Sequence, residues 1–167
     1  MIETGMKAPD FELPDATGRK VRLSQFKDKW VVLYFYPRDN TSGCTKEACD
    51  FTELRPELES LDAVVIGVSP DSQASHKKFI ARHGLDIILL SDPDKKVLKA
   101  YGAWGKKKNY GREYEGVIRS TFIISPGQEV SAVWKNVRVR TKRKGKEFRH
   151  ADAVRERLLE LQNKKER

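Results

Sequence analysis

The sequence predicts an α/β fold, with a sheet covered on both faces. Three apolar runs, "WVVLYFYP" (30–37), "AVVIGVSP" (63–70) and "DIILLSD" (86–92), have the β-branched and aromatic content of strands buried on both sides. Segments with helical patterning separate them, at 42–60 and 72–84. A pair of further strands and a C-terminal amphipathic helix follow, which together point to strands and helices packed in layers.

The elements read in order as follows. "FELPDATGRKVRL" (11–23) is an N-terminal β-hairpin around a Pro/Asp/Gly turn. The run at 30–37 suits the middle of a parallel or mixed sheet and ends at Pro37. Residues 42–60 form a helix with Thr41 or Ser42 at its N-cap and acids in its early turns, which Pro56 kinks or shortens. Strand 63–70 leads to helix 72–84, where Phe79, Ile80 and His83 share a face and Gly84 suits the C-cap. Strand 86–92 precedes a short helix at 93–102, with Pro93 near its start and Gly102 past its end. Strands 117–125 and 129–140 join through a Pro126–Gly127 turn, and helix 150–165 closes the chain.

The 167 residues fit one domain, read here as 1–167 with its core at about 3–163. No apolar run approaches the roughly 18 residues of a membrane span. The first fifteen residues lack the charged and apolar regions of a signal peptide, so the expected compartment is the cytoplasm. Of the net charge of +9, +7 falls in "KNVRVRTKRKGKEFR" (135–149), which holds eight Lys/Arg and one Glu. This stretch reads as an edge strand with a solvated cationic face running into a basic loop, since such charges protect a sheet edge. The alternative is a docking patch for an acidic partner. Nucleic-acid binding by stacking is poorly supported, because Phe148 is the stretch's one aromatic.

The two cysteines, Cys44 and Cys49, lie in "NTSGCTKEACDF" just past the first buried strand. Disulfides are rare in the cytosol, so free or redox-active thiols are expected. Cys44 falls in the first turn of helix 42–60, where unpaired N–H groups and the helix dipole favour an anion such as a thiolate. Loops at the carboxyl ends of strands are the usual site of chemistry in open α/β sheets, and Gly43 permits close approach of the backbone to a ligand. Cys49 is five residues on. In a regular helix that spacing separates the Cα atoms by roughly 8–9 Å and about 140° around the axis, whereas a disulfide requires about 7 Å or less. A bond between them therefore demands local unwinding. Spacing alone leaves two inert, buried cysteines as an equal alternative. A zinc site is disfavoured, because His76, His83 and His150 are not spaced as a second ligand pair. Trp104 and Tyr36 read as core or rim aromatics.

"YFYPRDNTSGCTKEACDF" closely resembles the active-site segment of the peroxiredoxins, in particular the bacterioferritin comigratory protein or PrxQ subfamily. The resemblance extends through "GMKAPDFELPDATGRKVRLSQF", "LLSDPDKKVLKAYGAWG" and "GVIRSTFII". It implies a thioredoxin-like fold and a thiol peroxidase acting on hydrogen peroxide and organic hydroperoxides. By resemblance, Cys44 is the peroxidatic nucleophile and Cys49 the resolving cysteine, joined to it in an intramolecular disulfide. Thr41 bonds thiolate and peroxide, Pro37 shields the site, and Arg119 stabilises the thiolate. Thioredoxin or a glutaredoxin-type reductant restores the dithiol, no cofactor or metal is required, and a monomer or weak dimer is expected. The same cysteine pair would also serve a redox sensor or relay. Reversing Lys142, Arg143 and Lys144 tests the basic stretch: salt-sensitive loss of partner affinity marks a docking patch, and unchanged affinity a solvated face.

Overall fold

The computed structural model describes residues 2–165. The chain-wide reading of 1–167 includes residues 1, 166 and 167, which lie outside the described residues. The N-terminal hairpin pairs β1 (Glu12–Pro14) with β2 (Lys20–Arg22), and a 3₁₀ turn follows at Leu23–Phe26. The Asp15 carboxylate organises the turn by accepting from the Thr17 hydroxyl and the Thr17 and Arg19 amides.

A five-stranded mixed sheet forms the centre, in the order β5 (Ile88–Ser91), β4 (Ala63–Ser69), β3 (Trp30–Phe35), β8 (Ser120–Ile124), β9 (Val130–Lys135). β3 runs parallel to β4, and β4 to β5, while β8 is antiparallel to both β3 and β9. Every residue of β3 is buried, and its side chains alternate between two cores. Trp30, Val32 and Tyr34 face α1 (Ser42–Ser60), α2 (Gln73–His83) and α4 (His150–Lys165) through Phe51, Leu54, Leu58, Phe79, Val154 and Leu158. Val31, Leu33 and Phe35 face the N-terminal hairpin and α3 (Lys96–Ala100), meeting Phe11, Val97, Leu98 and Tyr101. The run looked continuously apolar because each face has its own cover. Among the described residues, no helix is long and apolar enough to cross a membrane.

Several sequence expectations change in the structure. α1 runs through Pro56 to Ser60 without being shortened, and its early acids, Glu47 and Asp50, come in the second and third turns rather than the first. The helix expected at 93–102 is only Lys96–Ala100, because Asp92 accepts from the Leu98 amide and Lys95 takes a left-handed conformation at the cap. The segment 129–140 is not one strand. Asn136, with φ of 53°, ends β9, and β10 (Arg140–Arg143) pairs instead with β11 (Lys146–Arg149) in a separate hairpin. Residues 104–117 also form a hairpin that the sequence did not announce, β6 (Trp104–Asn109) with β7 (Arg112–Val117). Its two-residue turn has positive φ at Tyr110 and Gly111, the geometry that matches strand twist.

Gly67 stands opposite Tyr34 in the sheet, and a Cβ there would lie 2.7 Å from the Tyr34 Cζ and 2.9 Å from Leu89 Cδ2. Overpacking a core costs about 1–3 kcal/mol. Gly67→Ala should therefore lower unfolding stability by that amount, read from urea denaturation with an unchanged m-value. An equal or higher midpoint would contradict this packing.

Candidate active site

The site forms where the carboxyl end of β3 meets the start of β8. β3 leads through Tyr36 and Pro37 into the turn Arg38–Thr41, and α1 begins at Ser42. Cys44 is the third residue of α1 and is buried. Arg119 sits immediately before β8, whose first residue, Ser120, pairs with Phe35 at the end of β3. That register delivers the guanidinium to the helix start. Arg119 Nη2 donates to Cys44 Sγ at 3.2 Å, and Nη1 donates to Glu47 Oε1 at 2.6 Å. A Cβ on Gly43 would lie 3.4 Å from Nη2, an ordinary van der Waals contact, so the guanidinium packs directly over this residue.

Glu47 was not anticipated from the sequence. It lies one helical turn beyond Cys44, so the i, i+3 spacing was a usable signal. Burial pushes its carboxyl up to about 7, opposed by the charge and hydrogen bond of Arg119. Lys107 on β6 was also missed, since that hairpin went unread. Burial and the Arg119 charge hold its amine below the usual range while Cys44 acts the other way, which places the hairpin within electrostatic reach of the thiol.

Thr41 occupies the N-cap position of α1, but its hydroxyl donates to the Arg38 carbonyl at 2.9 Å and makes no side-chain cap. It stands beside the thiol in sequence without bonding it in this structure. Pro37 is half-buried, two residues after the end of β3. Cys49 is half-buried in the intact helix, and both cysteines are free thiols. Burial raises the Cys49 thiol above its usual range, Asp50 adds to this, and Arg140 opposes it.

The turn before Cys44 is anchored from α2 and β4. Asp39 accepts from Tyr36 Oη at 2.6 Å and from Ser75 Oγ at 2.7 Å, and meets His76 Nδ1 at 2.7 Å. Burial would raise the Asp39 carboxyl, but these hydrogen bonds hold it below its usual range. Tyr36 thus supports the turn, a role its aromatic character did not reveal. Asp39, Asp71 and His76 are, among the described residues, the cluster with metal-ligand donors close together. His76 Nδ1 is engaged by Asp39 and Nε2 faces the Leu90 carbonyl at 3.0 Å. Both ring nitrogens are thus already engaged within the protein, Nε2 as a donor to that carbonyl and Nδ1 by Asp39. The cluster is a structural brace.

A buried, arginine-braced thiol at a helix start, on a mixed sheet with helices on both faces, is the arrangement of a thioredoxin-like protein that works through a cysteine. The AhpC/TSA family model matches residues 4–133, and the chain belongs to that family. Peroxiredoxin Bcp of Bacillus subtilis is 50% identical over 139 residues, covering 83% of this chain and 88% of that protein. A putative peroxiredoxin bcp of Helicobacter pylori is also 50% identical, covering 83% and 91%. Among solved structures, the bacterioferritin comigratory protein of Xanthomonas campestris, described with alkyl peroxide reduction activity, has a TM-score of 0.82 at 36% identity. It covers 94% of this chain and 98% of its own. PrxQ of Xylella fastidiosa reaches a TM-score of 0.84 at 34% identity, covering 98% and 97%. The thioredoxin-like fold expected from the resemblance is therefore the fold of this chain.

His150 borders the same region, bonded through Nε2 to Thr121 Oγ1 at 2.8 Å. Burial and the Arg119 charge push it down from 6.5 to about 4. Its neutral form contributes stability that is complete above pH 6.5 and lost as pH falls through about 4. Glu47 has the opposite sign: its contribution is complete below pH 4.5 and lost as pH rises through about 7. His150→Gln should lose about 2–3 kcal/mol less than the parent chain between pH 7 and pH 4.5, whereas Glu47→Gln should lose more than the parent. Urea titrations at the two pH values check both signs, and parallel losses in all three proteins would refute them.

Proposed function

We propose that Cys44 is the nucleophile of this enzyme, a thiol peroxidase that reduces hydrogen peroxide and small organic hydroperoxides. The observation that carries the reading is the 3.2 Å contact of Arg119 with Cys44 Sγ at the start of α1. Attack on a peroxide needs a thiolate, and the thiolate charge is favoured by a guanidinium and by the unpaired N–H groups of the helix start. As the sulfur attacks, the O–O bond breaks and the departing oxygen gains charge. Donors already in place stabilise that charge without reorganising. The products are the Cys44 sulfenic acid and water or an alcohol.

In this reading Arg119 orients and stabilises the charge, while Glu47 holds the guanidinium through its second nitrogen. Pro37 limits access by water. Thr41 turns its hydroxyl from the Arg38 carbonyl to the peroxide when substrate arrives. Cys49 resolves the sulfenic acid to a Cys44–Cys49 disulfide once α1 unwinds, and thioredoxin or a similar dithiol reductant restores the pair. The resolving thiol lies in the same chain, which suits a monomer or weak dimer. Two free thiols as the resting form suit work in the cytoplasm.

One equivalent of hydrogen peroxide added to the reduced protein should remove both thiols and yield a Cys44–Cys49 linked peptide on non-reducing mapping. Cys44→Ser should abolish turnover, and Arg119→Gln should slow the peroxide step by about 10²–10³-fold, as expected for loss of a charge-stabilising donor. Cys49→Ser should react once and then stall or over-oxidise. Two unreactive thiols would overturn the peroxidase reading, and sustained thioredoxin-dependent turnover by Cys49→Ser would overturn the role of Cys49.

A further inference from the structure

The hairpin β10–β11 has no part in the chemistry above, and it lies beyond residue 133, where the family match ends. Most of its cations are exposed, but two turn inward onto α1. Arg140 grips Asp50 with both ends of its fork, Nη2 to Oδ1 at 2.6 Å and Nε to Oδ2 at 3.2 Å. Arg149 places Nη1 3.5 Å from Asp50 Oδ1 and 2.9 Å from Glu53 Oε2. Its Nε and Nη2 hold Asp152 of α4. The Asp50 carboxylate is only 2% exposed, so it depends on these guanidiniums for its solvation. Glu147 is the other carboxylate near Arg140, at 3.8 Å. The hairpin base is itself fixed, with the His150 amide donating to the Val139 carbonyl and the Val137 amide to the Arg119 carbonyl.

Asp50 follows Cys49 directly in α1. The two cysteines are too far apart to bond in an intact helix, at roughly 8–9 Å between Cα atoms. Closing the disulfide must unwind the turns that carry Cys49 and draw Asp50 from its two arginines. We propose that Arg140, assisted by Arg149, is a latch on α1 that sets how fast Cys49 reaches oxidised Cys44, and so how often Cys44 is over-oxidised instead. Arg140 is thus a positioning residue for the resolving step, and the proposal rests on the roles given above to Cys44 and Cys49.

Two reactions compete for the sulfenic acid. In resolution, the Cys49 thiolate attacks the Cys44 sulfur, the S–S bond forms, the S–O bond breaks, and hydroxide leaves to become water with one proton. In over-oxidation, the sulfenate attacks a second hydroperoxide, whose O–O bond breaks to give sulfinic acid and an alcohol or water. The first reaction requires an unwound helix. The second requires the folded site, with Arg119 in place. A tighter latch therefore favours over-oxidation.

The test is rapid mixing of full-length protein with peroxide, followed by tryptophan fluorescence and by acid quench with intact-mass analysis. Arg140→Gln should raise the first-order rate of disulfide formation about tenfold, the size expected for losing a charged hydrogen-bonded pair. The sulfinic fraction per turnover should fall correspondingly, while the bimolecular rate of the peroxide step stays within about twofold. Asp50→Asn should act in the same direction, and adding Arg140→Gln to it should change little further, because contacting residues couple. Asp50→Asn alone carries the test if Arg140→Gln fails to fold. Unchanged or slower resolution in these variants, or full additivity of the two, would overturn the latch while leaving the role of Cys49 intact. If the parent chain formed no Cys44–Cys49 disulfide, the latch and the role of Cys49 would fall together.

Discussion

One guanidinium holds this site together. Arg119 binds Cys44 Sγ through one nitrogen and Glu47 through another, and both partners lie on the same face of α1. Two acidic groups side by side in a buried setting repel each other when both are charged, and a cation between them offsets that repulsion. The arrangement holds only while α1 keeps its helical spacing, since one turn of helix separates the two acidic groups. The folded helix is therefore a condition of this arrangement.

The sheet makes that geometry reproducible. β3 and β8 are central, antiparallel neighbours, and their register places the residues after Phe35 beside those before Ser120. Cys44 and Arg119 are thus brought together by strand pairing between segments far apart in sequence. The turn that joins β3 to α1 is exposed in part, yet it is held by the buried Asp39 network reaching to α2. The anchored turn keeps the helix start in position while, in the proposed cycle, the next turns of α1 open.

The positive charge of 135–149 has a different meaning in three dimensions than in the sequence. Two of its arginines form buried or half-buried ion pairs with Asp50, Glu53 and Asp152, and the rest stay in water. Exposed pairs contribute little to stability, but a carboxylate withdrawn from water depends strongly on its partners. The hairpin is thereby tied to the helix that carries both cysteines, and the charge excess is partly internal.

Local sequence determined the fold class and the chemistry. Apolar runs with β-branched residues specified the buried strands, because their pattern reflects solvent exclusion on both faces. The motif around Cys44 and Cys49 implied thiol chemistry through its family resemblance, since helix position and spacing alone left two inert cysteines as an equal alternative. Other features were decided only by tertiary structure. Glu47 is an ordinary helical acid until burial beside Arg119 changes it, and Asp39 and His76 meet only because α2 packs against the turn. The two hairpins at 104–117 and 140–149 escaped the sequence reading, because their polar strands lack the alternation that marks a half-buried strand and depend on left-handed turn residues such as Tyr110 and Lys144. Arg140 and Asp50, ninety residues apart, become partners for the same reason: charge carries no address in sequence, and only the folded chain decides which opposite charge it meets.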